Sequence, residues 1–592
     1  MQLLRAVKAV KEVMEIDDDH ILKKGMPEYE RGQRLKKQVI TTKNYLCIER
    51  ARIITRAYKA TENEHILIRR AKAFKEILEE MSVYILDDEL IVGHQSSRQR
   101  SAPIFPEFAV DWIEEEIDTF QTRSQDNFVV PEEVKEEFRQ DILPYWKGKT
   151  LFDRLKSYIP ENIWLQRYDA GVFSVGLHED GGGLGHCYMD YEKVLREGFN
   201  SIKNEILQLQ QQLVQWDKND FEKNLFYKAC LIVIEGVEIF ADRYAACAAE
   251  MAEREKNPIR REELRRIANI CEVVPMNPAR SFHEALQSFW FVQLLPQIYD
   301  NGVSISPGRF DQYIYPYYKH DIEEGIMTKV EAQELLEACW VKFTEPIKLY
   351  KAADAAFHAG YPMGQNLSIG GVGADGIDAT NDLSFRCLEA HSHVLLMQPN
   401  FSVRMHKKSP HNYLMQIIEA IKLGNGMPQI MNDEVWIRAL MNIGIPLKVA
   451  RDYQMIGCVE PGAANSWTRA NGGYFNLTKI IELALNGGKC RICNKQAGPV
   501  TGNPGEFKTY DEFYEAVKTH MQYSVELLVQ LDNLVDKVHA DLVPVPFISM
   551  LIGDCIKNGK DATSGGARYN WTGTLGVGIA NAGDAGDKSK LS

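Results

Sequence analysis

Up to about residue 160 the apolar positions recur at three- and four-residue steps, as in IERARIITRAYKA and LIRRAKAFKEILEEM, with polar residues on the opposite arc. That spacing gathers the apolar side chains on one face of a helix. The same texture runs from about Asn204 to Ala268, where IVIEGVEIFADRYAACAAEMAEREK alternates apolar and charged faces and predicts a helical layer around a core. After Pro275 shorter apolar runs, SFWFVQLL, NLSIGGV, HVLLMQPNFSVRM and QIMN, sit between helical stretches, with Gly, Pro and Asn at the junctions. They predict strands alternating with helices, hence an α/β barrel or wound sheet whose functional residues lie on loops at strand ends. No linker, low-complexity tract or fixed-period repeat divides residues 1–592, so one interwoven domain is expected. The last residues, GIANAGDAGDKSKLS, read as a Gly-rich loop passing into a polar tail.

Composition adds limits. Hydrophobic residues make up 45% and charged residues 26%, the balance of a globular protein with a large core. The formal charge of -13 is spread along the chain, which argues against nucleic acid or an anionic membrane as partner and favours a small-molecule substrate. No apolar run is long enough to span a bilayer, and the opening MQLLRAVKAVKEVMEIDDDH is interrupted by charge where a signal peptide is not, so a cytoplasmic location is expected. The 11 cysteines show no framework spacing and read as reduced thiols.

In MIGCVEPG, Cys458 stands two residues before Glu460, with Gly457 freeing the backbone and Pro461 biasing Glu460 toward extension. A thiol that shuttles a hydrogen atom beside a carboxylate that moves a proton suits radical acid-base chemistry; a half-buried free cysteine beside a surface glutamate is the plainer alternative. His186, after the glycine run of GGGLGHCYMDYEKVL, either protonates a leaving group or is a satisfied structural histidine. GVGADG at 371–376 has dinucleotide-fingerprint spacing but lacks the prompt helix and the closing acid, and is assigned to a turn. Cys490 and Cys493 form a single CxxC without the second pair that zinc usually needs. In SISPGRFDQY, Arg309 and Asp311 either pair structurally or grip an anion.

SPGRFDQY at 306, NLSIGG at 366, GCVEPG at 457 and GGARYN at 565, in that order, resemble the pyruvate formate-lyase superfamily of glycyl radical enzymes. Within it they resemble the branch of glycerol, propanediol and hydroxyproline dehydratases and choline lyase. The resemblance extends over nearly the whole chain, from ERARIITRAYK and DDELIVG onward. It implies a barrel of two parallel half-sheets surrounded by helices, with the cysteine loop inside. It implies that Cys458 becomes a thiyl radical and takes a hydrogen atom from a small hydroxylated substrate. Glu460 would deprotonate the hydroxyl, and His186, at the GH position, would serve the leaving group in a C–O or C–N elimination. It further implies no directly bound cofactor or metal, a glycyl radical installed by an activating enzyme that uses S-adenosylmethionine and an iron–sulfur cluster, and a homodimer.

Departures from the pattern shape these expectations. Cys458 lies between Gly457 and Val459 rather than beside a second cysteine, which disfavours pyruvate cleavage. Where diol dehydratases resemble one another in a His-Ser pair, this chain has Val303 and Ser304; where they carry an acid it has Asn471; and NGGYFN, nearer the hydroxyproline dehydratase pattern, makes Tyr474 a pocket residue. Gly364 stands where relatives often carry Phe, predicting a roomier pocket. The motif resembling RVAGY, which stores the radical on glycine, does not follow GGARYN. The pyruvate formate-lyase-like domain is therefore expected to be incomplete at its C-terminus and inactive alone, by truncation or because a separate polypeptide carries the glycine. An arylacetate-type decarboxylase, a formate C-acetyltransferase-like enzyme and a catalytically dead remnant are the competing readings.

Overall fold

The helix-period segments fold where their spacing places them. Glu49–Ala60 (α1) buries Ile53, Ile54 and Ala57, and Ile66–Glu80 (α2) buries Phe74, Ile77 and Leu78. Lys218–Arg254 (α3) starts at Asp217, whose carboxylate accepts from the Asn219 and Asp220 amides. It runs along α2, and at Gly236 a Cβ would sit 3.1 Å from the Lys75 Cα, so the missing side chain sets the close approach. Pro258–Cys271 (α4) returns against it. This computed structural model describes residues 30–591 apart from 180 and 215. No helix among the described residues is long and apolar enough to cross a membrane.

Phe282–Tyr299 (α5) corrects the sequence reading, because SFWFVQLL forms its middle rather than a strand. All 18 of its residues are buried, so no polar face survives to mark a helical period. Two of its glutamines bond to neighbouring loops: Gln287 exchanges two 2.8 Å hydrogen bonds with the Val92 backbone, and Gln293 donates to the Ile305 carbonyl at 2.9 Å.

Apart from a short parallel pair, Tyr45–Cys47 with Ser101–Pro103, the strands are Phe173–Ser174 (β1), Gly308–Arg309 (β2), Asn366–Gly370 (β3), Asn400–Met405 (β4), Gln429–Asn432 (β5), Gln454–Ile456 (β6), Glu460–Gly462 (β7), Trp467–Asn476 (β8) and Asn570–Val577 (β9). β2 to β5 pair in parallel as one half-sheet, and β8 pairs in parallel with β9 in the other. β1 adds antiparallel to β8, an element outside the all-parallel expectation. The backbone at Cys187 joins the halves, bridging Ile305 on one side and Trp467 on the other. Helices surround this wall, and β3 is buried along its whole length: Leu367 and Ile369 alternate with Asn366 and Ser368, whose side chains hydrogen-bond to the Cys458 carbonyl and the Met455 amide. The GVGADG segment is a turn, closed by the Gly373 amide on the Ile377 carbonyl at 2.8 Å.

Leu477–Leu485 (α6) and Tyr510–Leu542 (α7) follow β8, and Ile579–Leu591 (α8) ends the described chain. α8 replaces the polar tail expected there: its glycines and aspartates are poor helix formers, but it lies against α6, a tertiary contact that propensity alone does not reveal.

Two buried charge clusters tie the layers together. The Glu107 carboxylate sits between Arg50 at 2.6 Å and Arg70 at 2.8 Å, and these arginines also donate to the carbonyls of Ile298 and Tyr299 at the end of α5. Burial alone would raise the Glu107 carboxyl, but the Arg50 and Arg70 charges hold it below its usual 4.5. Its stabilisation is therefore complete above about pH 4.5 and is lost as pH falls through the lower folded value. Glu107→Ala leaves two guanidinium groups buried without their anion, and we expect a loss of about 3–5 kcal/mol, measured as a fall in the urea midpoint at neutral pH. An unchanged midpoint would show that the cluster contributes nothing. In the second cluster Glu89, His94 and Glu345 bring three ligand atoms together, but Lys342 Nζ lies 2.7 Å from Glu89 and 2.5 Å from Glu345 and already supplies the cation.

Candidate active site

β6 and β7 form a hairpin in which Ile456 pairs with Glu460 across a three-residue tip, 457–459. Gly457 has φ +63°, the left-handed turn that glycine adopts without strain. At the tip the Glu460 Oε2 accepts the Cys458 amide at 2.8 Å and the Val459 amide at 2.9 Å, so the carboxylate is folded back onto the loop that carries the thiol. Asn366 Nδ2 donates to the Cys458 carbonyl at 3.0 Å, and Ser306 Oγ accepts the Gly457 amide at 3.0 Å. Both are fully buried and anchor the tip to the β2 to β5 half-sheet.

Cys458 is exposed, not enclosed as the resemblance implied. Its residue opens to solvent on one side while the hairpin and Glu460 crowd the sulfur. Burial first, and the Glu460 charge second, push the thiol up to about 11. At neutral pH it is a protonated S–H: poor as a nucleophile or metal ligand, and suited to giving up a hydrogen atom.

Ser304 comes to the same point. Its φ is +63°, and its amide donates to the Met363 carbonyl at 2.8 Å. A Cβ at Gly457 would lie 2.9 Å from both Ser304 Oγ and Glu460 Oε2, and one at Gly364 would lie 2.5 Å from Ser304 Oγ. Gly364 is therefore beside the tip, but with φ +61° and Ser304 against it, its identity follows from backbone shape, a reason the pocket-size argument did not include. His186 is buried, donates its amide to the Val303 carbonyl at 2.8 Å, and has Nδ1 3.2 Å from the Leu184 carbonyl. The preceding glycines are explained by packing: a Cβ at Gly185 would collide with the Val303 backbone, and one at Gly183 with the Asp300 carboxylate.

Tyr474, half-buried on β8, packs edge-on to Phe357 at 5.4 Å between ring centroids and lies 6.4 Å from His358. Asn471 falls where the β8–β9 register shifts, between Arg469 and Gly473, and its side chain lies outside the described residues. Sequence reading missed His358, Asn366 and Ser306. His358 Nε2 is buried without a partner; burial lowers its pKa, which Asp126 opposes and His186 reinforces, so the imidazole is held neutral. An asparagine opening a buried strand was the available signal for Asn366; His358, in a short helix and loop, had none. Arg309 and Asp311 do not pair with each other. Arg309 binds Asp452 at 2.8 Å, and Asp311 accepts from Ser384 Oγ and the Gly370 amide, which makes both structural ties.

The family model described as pyruvate formate lyase-like matches residues 24–585. The chain is 34% identical to (2S)-3-sulfopropanediol dehydratase of Klebsiella oxytoca over 565 residues, 94% of this chain and 68% of that protein. It is 33% identical to trans-4-hydroxy-L-proline dehydratase of Clostridioides difficile, over 94% of this chain and 70% of the relative. Its fold superposes on the glycerol-bound B12-independent glycerol dehydratase of Clostridium butyricum with a TM-score of 0.93 at 41% identity, covering 96% of this chain and 72% of that one.

Proposed function

The chain belongs to the pyruvate formate lyase-like family of glycyl radical enzymes, whose matching members include dehydratases and lyases, and from that premise we propose that it eliminates a C–O or C–N substituent from a small hydroxylated substrate. Cys458, as a thiyl radical, takes the hydrogen atom from the carbon bearing the hydroxyl. Glu460 takes the hydroxyl proton, which leaves a ketyl radical that expels the neighbouring group. His186 gives that group its proton, the product radical takes its hydrogen atom back from the Cys458 thiol, and Ser304 and Tyr474 orient the substrate, with Gly364 and Asn471 at the pocket wall. When present, a glycyl radical installed by an S-adenosylmethionine and iron–sulfur activating enzyme would supply the radical, which the redox-neutral elimination does not consume. The protonated Cys458 thiol, open on one side, fits such a source. No RVAGY-like motif occurs in residues 1–592, so we place the radical glycine outside them, on the same or a separate polypeptide, with a homodimer as the working assembly.

The observation that carries this reading is the Glu460 carboxylate held on the Cys458 and Val459 amides with Ser304 beside both. The test is anaerobic incubation of the activated protein, radical-bearing section included, with a vicinal diol, a vicinal amino alcohol and an arylacetate. Aldehyde or ketone with release of water or amine is expected. Carbon dioxide from the arylacetate in its place would overturn the elimination.

A further inference from the structure

After α6 the chain folds a tight loop in which the Cys490 amide donates to the Lys495 carbonyl at 2.9 Å and Lys489 bridges Gln496. The Cys490 sulfur accepts the Ile492 amide at 3.3 Å, and the amide and thiol of Cys493 also hydrogen-bond to it. Lys479 reaches it from α6, held there by Glu482 at 2.8 Å, and Glu482 in turn accepts the Arg491 amide at 3.1 Å. Cys490 is fully covered and Cys493 half-buried, but the cover is thin: Lys489, Arg491, Ile492 and Lys495 around them are exposed.

We propose that Cys490 and Cys493 are a thiol–disulfide exchange site, at which Cys493 takes up an external disulfide and Cys490 resolves it. The pair is independent of the chemistry assigned to Cys458. Two features select it. A sulfur receiving amide, thiol and ammonium donors together is arranged to carry negative charge, and its next neighbour in that arrangement is the second sulfur. Burial would raise the Cys490 thiol, but the hydrogen bonds from Cys493, Ile492 and Lys479 hold it below the ordinary cysteine value. A metal does not suit the same atoms, because the Lys479 ammonium stands where a cation would, and among the described residues no third His, Cys, Asp or Glu joins the pair at ligand spacing.

The steps balance. The Cys493 thiol gives its proton to solvent and its sulfur attacks a low-molecular-weight disulfide; the external S–S bond breaks, one thiol leaves, and a mixed disulfide remains on Cys493. The Cys490 thiolate then attacks the Cys493 sulfur, breaking the mixed bond and releasing the second thiol. In sum, two protein thiols are oxidised to one disulfide while one external disulfide is reduced to two thiols.

The test treats the anaerobic protein with oxidised glutathione, quenches by alkylation and maps the loop by mass spectrometry. In the wild type the pair loses two hydrogens and keeps no adduct. C490S accumulates glutathione on Cys493 to at least about tenfold above wild type, and C493S leaves Cys490 unmodified over the same time. The same protein unfolded in urea, where every thiol is open, reports that the reagent is active. A pair that stays reduced in the folded protein while the unfolded chain is modified overturns the proposal, as does wild type retaining the adduct as C490S does. Stoichiometric zinc held by wild type and lost in both variants overturns it as well.

Discussion

Cys458→Ala is expected to abolish turnover while leaving the fold intact. The residue is exposed, and the tip is held by its backbone: its carbonyl accepts from Asn366 and its amide donates to Glu460, contacts that alanine keeps. Only the sulfur is lost, so the unfolding free energy should stay within about 0.5 kcal/mol of wild type. In the activated protein the glycyl radical signal should form as in wild type but no longer respond to substrate, because the atom that relays it is gone. Product formation by C458A at a measurable fraction of the wild-type rate would remove Cys458 from the reaction.

The second large effect is at the carboxylate. Glu460→Gln keeps an oxygen for the Cys458 and Val459 amides and nearly the same shape, but it takes no proton from a substrate hydroxyl. A fall of about 10²–10⁴ in kcat is expected. The same substitution should lower the Cys458 thiol pKa from about 11 toward the ordinary value, because the Glu460 charge is the second cause of its rise. The pH dependence of Cys458 alkylation in the unactivated protein measures this. A fall in kcat with the alkylation profile unmoved would mean that the carboxylate does not face the sulfur.

Much of this was legible from residue order, and what was not has identifiable causes. NLSIG read as a strand because Leu367 and Ile369 fall at alternate positions of a short run bounded by Gly, which is strand spacing. SFWFVQLL, a denser apolar run, read the same way and is a helix, since total burial erases the periodic contrast that separates the two. Around the thiol, Cys458, Glu460 and the glycines were visible as local motifs. Their partners were not: Asn366 and Ser306 come from 92 and 151 residues away along the chain, and only the folded wall brings them to the hairpin. The glycine run before His186 was visible as turn punctuation, but its reason, close contact with Val303 and Asp300, depends on a chain crossing that no spacing encodes.

A helix with no solvent-facing side also constrains how the protein assembles. Phe282–Tyr299 ties Gln287, Trp290 and Gln293 to the backbone at Val92, Gly93 and Ile305, so it has no stable form until those loops have arrived. Its amides should exchange with deuterium only through the largest openings of the molecule, together with the helices on which it packs. Cleaving the chain within that helix should dismantle both halves at once instead of releasing two surviving pieces.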